Sequence, residues 1–205
     1  MRLAPATLRS WVSGRPYLTS TGKGFFQPLI RPPGPDVSVL SFNNLIEAHV
    51  LRALRTEHGV SIKSVRAALR YAERELSIDR LLLRQELKTS AGEIFLDRYG
   101  QLLQLSKSGQ LAMRKLLEAY LERVEWDASF PVRLYPFVSM QLTVGRPIAI
   151  DPSIAFGRPF IARLSISTAA ITERIDAGES INDVAADYDL EPQEVEEAVV
   201  YERAA

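Results

Sequence analysis

Residues 167–203 read STAAITERIDAGESINDVAADYDLEPQEVEEAVVYER, and this stretch decides the fold of the C-terminal part of the chain. Its punctuation predicts three helices, over 167–177, 180–188 and 192–203. Gly178 ends the first, Ser180 caps the second, and Pro192 sits in the first turn of the third, where its missing amide costs nothing. Ile181, Val184, Ala185, Tyr188, Leu190 and Val195 are expected to fill the core between them. Just upstream lie two short apolar runs, PIAID at 147–151 and FGRPFI at 156–161, with Gly157 and Pro159 placed to turn a short β-hairpin. A Gly-Arg-Pro break at 145–147 marks the expected start of this unit, which runs from 146 to 205.

Charge divides the chain more sharply than its formal net charge of zero suggests. Residues 151–205 hold four basic side chains against twelve acidic ones, a net of −8, so the remaining residues carry +8. Residues 1–35 contain Arg2, Arg9, Arg15, Lys23 and Arg31 and no acid. An acid-free basic stretch suits a phosphate backbone, and a strongly acidic end is repelled by one. The 46% hydrophobic content of 205 residues is enough for one or two buried cores. With no cysteine there are no disulfides, no thiolate nucleophile and no cysteine-bearing zinc site. No apolar run approaches the ~20 residues of a membrane span, and MRLAPATLRSW lacks the apolar region of a signal peptide. A cytoplasmic location is the expectation.

Working back toward the N-terminus, residues 109–125 (GQLAMRKLLEAYLERVE) are read as a helix, and VRLYPFV after them as strand-like. EIFLDRYGQLLQL at 93–105 changes period and suggests two short strands about Tyr99-Gly100. SFNNLIEAHVLRALRTEHG has apolar positions 42, 45, 46, 50, 53 and 54 at helical spacing. Gly59 stops it, and Ser61 caps a second helix carrying Ile62, Val65, Leu69, Ala72 and Leu76. Residues 15–40 are rich in Gly and Pro and read as loop or short hairpin, and 5–13 (PATLRSWVS) as a short helix stopped by Gly14.

Catalytic patterns do not appear. There is no G-x-S-x-G, no Walker-type lysine loop and no G-x-G-x-x-G. The histidines, His49 and His58, have no second histidine four residues away and are read as surface or helix-end side chains. The expectation is a protein that is not an enzyme and takes no metal or other cofactor.

Two segments carry a positive signal. L-x-P-x-T-L-R-S-W-V-x-G at 3–14 resembles the recognition helix of the MerR-type winged helix-turn-helix. That resemblance makes Thr7, Arg9, Ser10 and Arg15 candidate DNA contacts, Leu8 and Trp11 core, and residues 17–35 a wing bearing Lys23. The family's first helix would lie upstream of Met1, so a late-starting or truncated N-terminus is expected. The second segment, I-A-I-D-P-S-I-A-F-G-R-P-F-I followed by I-S-T-x-x-I and A-G-E-S-I-x-x-V-A-x-D-Y-x-L-x-P-x-x-V-x-x-A-V-x-Y-E, resembles a small antitoxin-associated domain of formerly unknown function. Its three helices have a helix-turn-helix outline, but a net of −8 argues against DNA and for a protein partner.

Together the two resemblances imply a VapB-type antitoxin of a type II toxin-antitoxin system. It would be a repressor, forming a homodimer or higher oligomer, that binds operator DNA and neutralises a PIN-like, VapC-type ribonuclease toxin, with Glu194, Glu196, Glu197 and Glu202 of the last helix as toxin contacts. A stand-alone MerR-like transcriptional regulator with a dimerising or ligand-sensing C-terminal domain is the alternative. The expected fold is mainly α with short β elements. Residues 1–89 form a partial MerR-like winged helix-turn-helix, 90–145 an α+β bridging or dimerisation region, and 146–205 an acidic three-helix domain with a short hairpin.

Overall fold

A computed structural model describes residues 3–20, 22–34, 39–56, 61–75, 77–83, 121–128, 130–136 and 146–204. Their contacts separate into two compact units. One holds the described residues of Leu3–Glu122 with Ala128–Phe130, the other those of Arg123–Asp127 with Pro131–Ala205. Among the described residues no helix is long and apolar enough to cross a membrane. The strands expected at 93–105, the expected helix up to residue 120, and His58 lie outside the described residues.

The first unit opens with α1 (Pro5–Ser13), which buries Trp11 and Val12. Gly14 closes it at φ 73, and its amide donates to the Ser10 carbonyl at 3.1 Å. A side chain there would strike the Phe26 carbonyl oxygen, 2.3 Å from an added Cβ, so glycine is required twice over. The chain passes directly into β1 (Arg15–Thr19) and β2 (Gly22–Phe26), an antiparallel hairpin in which Arg15 pairs with Phe26, Tyr17 with Gly24 and Leu18 with Lys23. After the hairpin the chain returns to α1, where the Trp11 carbonyl accepts from the Leu29 and Ile30 amides at 2.7 and 3.1 Å.

α2 (Phe42–Thr56) and α3 (Ile62–Glu75) stand where the spacing predicts amphipathic helices, and each packs against the short turn Leu81–Leu83. Ser41 and Asn44 cap α2 reciprocally: the Ser41 amide and hydroxyl donate to Asn44 Oδ1, and the Asn44 amide donates to Ser41 Oγ. Ile46, Val50, Leu51, Val65, Ala72 and Leu81–Leu83 are buried here. His49 corrects the expectation of a surface histidine, since it is only 1% exposed. It lies three residues after Ile46 and so shares that inward stripe. A polar cluster is buried with it. Arg80 grips Glu47 through two bonds of 3.1 and 2.8 Å, and Asn44 Nδ2 donates to Glu47 and to the Arg31 carbonyl.

In the second unit, Val124 and Glu125 correct the expected helical span, because they belong to β3 (Val124–Asp127). The pattern VEWD alternates, with Val124 buried and Glu125 exposed, and alternation suits a half-buried strand. β4 (Phe130–Leu134) pairs with β3, and Leu134 bridges to Ile150 through reciprocal bonds of 2.9 and 2.8 Å. β5 (Ile148–Ala149), β6 (Phe160–Ile161) and β7 (Ile166–Ser167) form a small antiparallel sheet in that order, one strand more than the expected hairpin.

The helices α4 (Thr168–Asp176), α5 (Ile181–Tyr188) and α6 (Pro192–Ala204) follow. Ser180 caps α5 by accepting from the Asp183 amide at 3.1 Å. The core joins Ile148 and Ile161 of the sheet to Ile171, Val184, Ala185, Leu190, Val195, Ala198 and Tyr201. Burying each large aliphatic side chain stabilises by about 1.5–3 kcal/mol. Ile181 and Tyr188, expected inside, pack against this core from its edge.

Candidate functional site

Two surfaces present side chains that the interior does not use. The first is α1 with its hairpin. Arg9, Arg15 and Lys23 are exposed, and among the described residues no carboxylate bridges any of them. Ser10 is half-buried, and its hydroxyl donates to the Thr7 carbonyl at 2.9 Å, so its proton is committed to its own helix. Thr7 is also half-buried. Cross-strand partners share a face of a ribbon, and successive pairs alternate. Arg15 and Lys23 belong to pairs of opposite parity, so the hairpin carries a cation on each face. Tyr17, Leu18 and Phe25 are also exposed on it. Arg31 is not available in the same way, because Glu73 and Asp79 bridge it.

The second surface belongs to the C-terminal unit. Of the four acids singled out on α6, Glu196 alone stands fully in solvent. Glu194 accepts from Arg163 at 2.9 Å and from the Glu191 amide at 2.9 Å, which closes the start of α6. The Arg163 hydrogen bond, outweighing burial, holds its carboxyl below the usual range. Glu202 is bonded to the Thr168 hydroxyl, tying α6 to the start of α4. Burial pushes the Glu197 carboxyl up. It pushes the neighbouring Tyr201 phenol up to about 12, with Glu202 adding to the effect. Arg174 likewise bridges Glu179 and Asp187, 2.6 Å from the latter, and lies 5.1 Å above the Tyr188 ring.

Sequence reasoning took FGRPFI for an apolar run, and there the structure differs most. Phe160 and Ile161 are buried, but Phe156 is 99% exposed. Ala155, Phe156 and Gly157 all have positive φ, at 49, 57 and 75°. For a non-glycine residue the left-handed region costs roughly 1–2 kcal/mol. The turn is held by its surroundings. Asp151 is buried and accepts from the Ser153 amide at 2.8 Å and from Arg133 at 3.0 and 3.2 Å. Burial alone would raise its carboxyl, but the bonds from Ser153 and Arg133 outweigh it and the net shift is downward. The Asp151, Ile154 and Ala155 carbonyls accept from the amides of Ile154, Gly157 and Arg158 at 3.1, 2.9 and 3.1 Å. An aromatic immediately before Gly-Arg-Pro was the available signal. Among the described residues no group of three or more His, Cys, Asp or Glu could hold a metal ion.

The segment from β5 through most of α6 has a known counterpart. Residues 148–201 match the family model DUF433, described as a protein of unknown function. The DUF433 stretch thus contains the strained turn, the three-stranded sheet and the three helices. Over 213 aligned residues the chain is 25% identical to the Mycobacterium tuberculosis protein named "Putative antitoxin VapB45", covering 95% of this chain and 86% of that one. The X-ray crystal structure of Rv2018 from the same organism is similar at a TM-score of 0.63 and 22% identity, covering 84% of this chain and 86% of the other, a likeness of fold.

Proposed function

We propose that this chain is the antitoxin of a type II toxin-antitoxin system, a non-enzymatic cytoplasmic protein that neutralises a PIN-like, VapC-type ribonuclease and represses its own operon. The observation that carries this reading is the likeness to a protein named as an antitoxin, which extends over nearly the whole chain and not over the DUF433 stretch alone. In this reading residues 1–89 are a MerR-like operator-binding region, 90–145 bridge or dimerise, and 146–205 hold the toxin. The order of α1, hairpin, α2 and α3 supports a reader with a wing. Arg9 would face phosphates from α1, while Arg15 and Lys23 on opposite faces suit a ribbon entering a groove edge-on. Thr7 and Ser10 would contribute their remaining acceptor capacity. A ribonuclease presents cationic surface to its RNA, and a segment at −8 can occupy that surface by charge complementarity. Glu196, exposed on α6, would make the direct contact, while Glu194 and Glu202 would hold the helix that bears it through Arg163 and Thr168, with Glu197 beside them.

Co-expression in a growth assay tests the division of labour. Full-length protein is expected to rescue cells from a co-expressed VapC-type nuclease of the same genome, and a version ending near Val144 to retain DNA binding but fail to rescue. Equal protection by the truncated chain would overturn the assignment of the toxin site to residues 146–205.

A further inference from the structure

We propose that Phe156 is an apolar anchor that inserts into a pocket on a basic protein partner, a reading that rests on the antitoxin function above and names the group that grips the toxin. Two independent observations point to it. The ring is almost entirely in solvent, so it adds nothing to the unit's own core. Its backbone is nonetheless held left-handed between two further positive-φ residues, a conformation that asparagine or glycine would adopt with less strain. Strain of this kind persists only where the surroundings over-determine it, and Asp151, Ser153 and Arg133 supply that constraint. A side chain with two rotatable bonds, on a turn already locked, loses little freedom on binding, which is what a contact hot spot requires.

Charge selects the occupant. An exposed aromatic ring can wedge between bases, enter a membrane or fill a protein pocket. Residues 151–205, which include Phe156, carry a net of −8 as a whole, which disfavours a phosphate polymer and an anionic lipid surface alike. The C-terminal unit of a second copy is equally acidic. A cationic protein surface with an apolar pocket is the class that fits both the ring and the net charge of the segment that bears it.

The test uses the full chain and a purified, active-site-inactivated PIN-like, VapC-type nuclease from the same genome, with affinity measured at physiological salt and thermal unfolding measured on each variant. Phe156→Asn is expected to weaken binding by about thirtyfold or more, the scale of a hot-spot truncation, while raising the unfolding midpoint. Phe156→Tyr is expected to stay close to the wild type. If wild type binds and Phe156→Asn binds equally, the anchor is overturned and the antitoxin reading stands. If wild type does not bind, both fall. A loss of binding accompanied by a lowered midpoint would make Phe156 a structural residue and overturn the anchor. So would a change in the oligomeric state of the free chain, which would assign the ring to a second copy.

Discussion

The two units bury charge alike and differ in what they leave on the surface. The N-terminal unit buries part of it, with Glu47 gripped by Arg80 and hydrogen-bonded by Asn44, and leaves Arg9, Arg15 and Lys23 on its surface without a carboxylate partner among the described residues. The C-terminal unit buries Asp151 against Arg133 in the same way, and it pairs three further cations at its surface, Arg163 with Glu194, Arg174 with Glu179 and Asp187, and Arg203 with Asp176. The cations left on α1 and its hairpin have no acid beside them among the described residues, whereas the C-terminal surface keeps exposed charges of both signs, Glu196 and Arg158 among them. Arginine count alone therefore says little about where a phosphate can bind. An arginine already bridged to two carboxylates has lost most of its attraction for a third anion.

The largest effect is expected where the apolar core is broken. Val184→Asp places a carboxylate at a fully buried position, and with no partner it should destabilise the C-terminal unit by about 4 kcal/mol or more. Loss of the cooperative unfolding transition of that unit, with helicity of the N-terminal unit retained, is the expected calorimetric and circular-dichroism result. Loss of both together would mean that the two units do not fold independently.

Arg80→Met attacks the gripped carboxylate of the N-terminal unit. It leaves Glu47 buried without its cation, and breaking such a pair costs about 3–5 kcal/mol. The unfolding midpoint of the N-terminal unit should fall. A second change, Glu47→Met, should restore much of the loss, because two apolar groups need no partner. Failure of the double variant to recover would assign the loss to packing and not to the stranded charge.

The free cations of the hairpin come next. Arg9→Glu with Arg15→Glu is expected to weaken operator binding sharply and to flatten the salt dependence by roughly 0.9 per lost phosphate contact. An unchanged slope would move the DNA surface off α1 and the hairpin.

A pH titration of C-terminal stability should show the smallest and broadest change. The carboxyls of Asp151, Glu179 and Glu194 are lowered in the folded state, so their contribution is present above the ordinary carboxylate pKa and is lost as pH falls through their lowered values. Glu197, raised by burial, opposes that loss. Tyr201 is raised to about 12, so its contribution is complete below the ordinary phenol pKa and is lost as pH rises toward that value. A plateau from about pH 5 to 9, falling on both sides, is the expected curve. A single bell centred near neutrality would contradict the cited shifts.

The sequence by itself determined several helix ends, though not the end of the helix expected at 109–125, where Val124 and Glu125 join a strand. Gly14, Gly178, Ser180 and Pro192 stand where the structure starts or stops a helix, because capping, left-handed φ and a missing amide act within one turn of chain. The charge division was equally legible, being a property of composition. Tertiary structure alone decided which of those residues are free. Glu194 is committed to Arg163, 31 residues away, and Glu202 to Thr168, 34 residues away, and helical spacing contains no information at that range. The same holds for His49, drawn inside by the packing of α2, and for Phe156, which periodicity would assign to an apolar run. Its exposure follows from a turn locked by Asp151 and Arg133, and Arg133 reaches it from another strand, 18 residues upstream. Local signals end elements, but only the folded chain brings distant partners together.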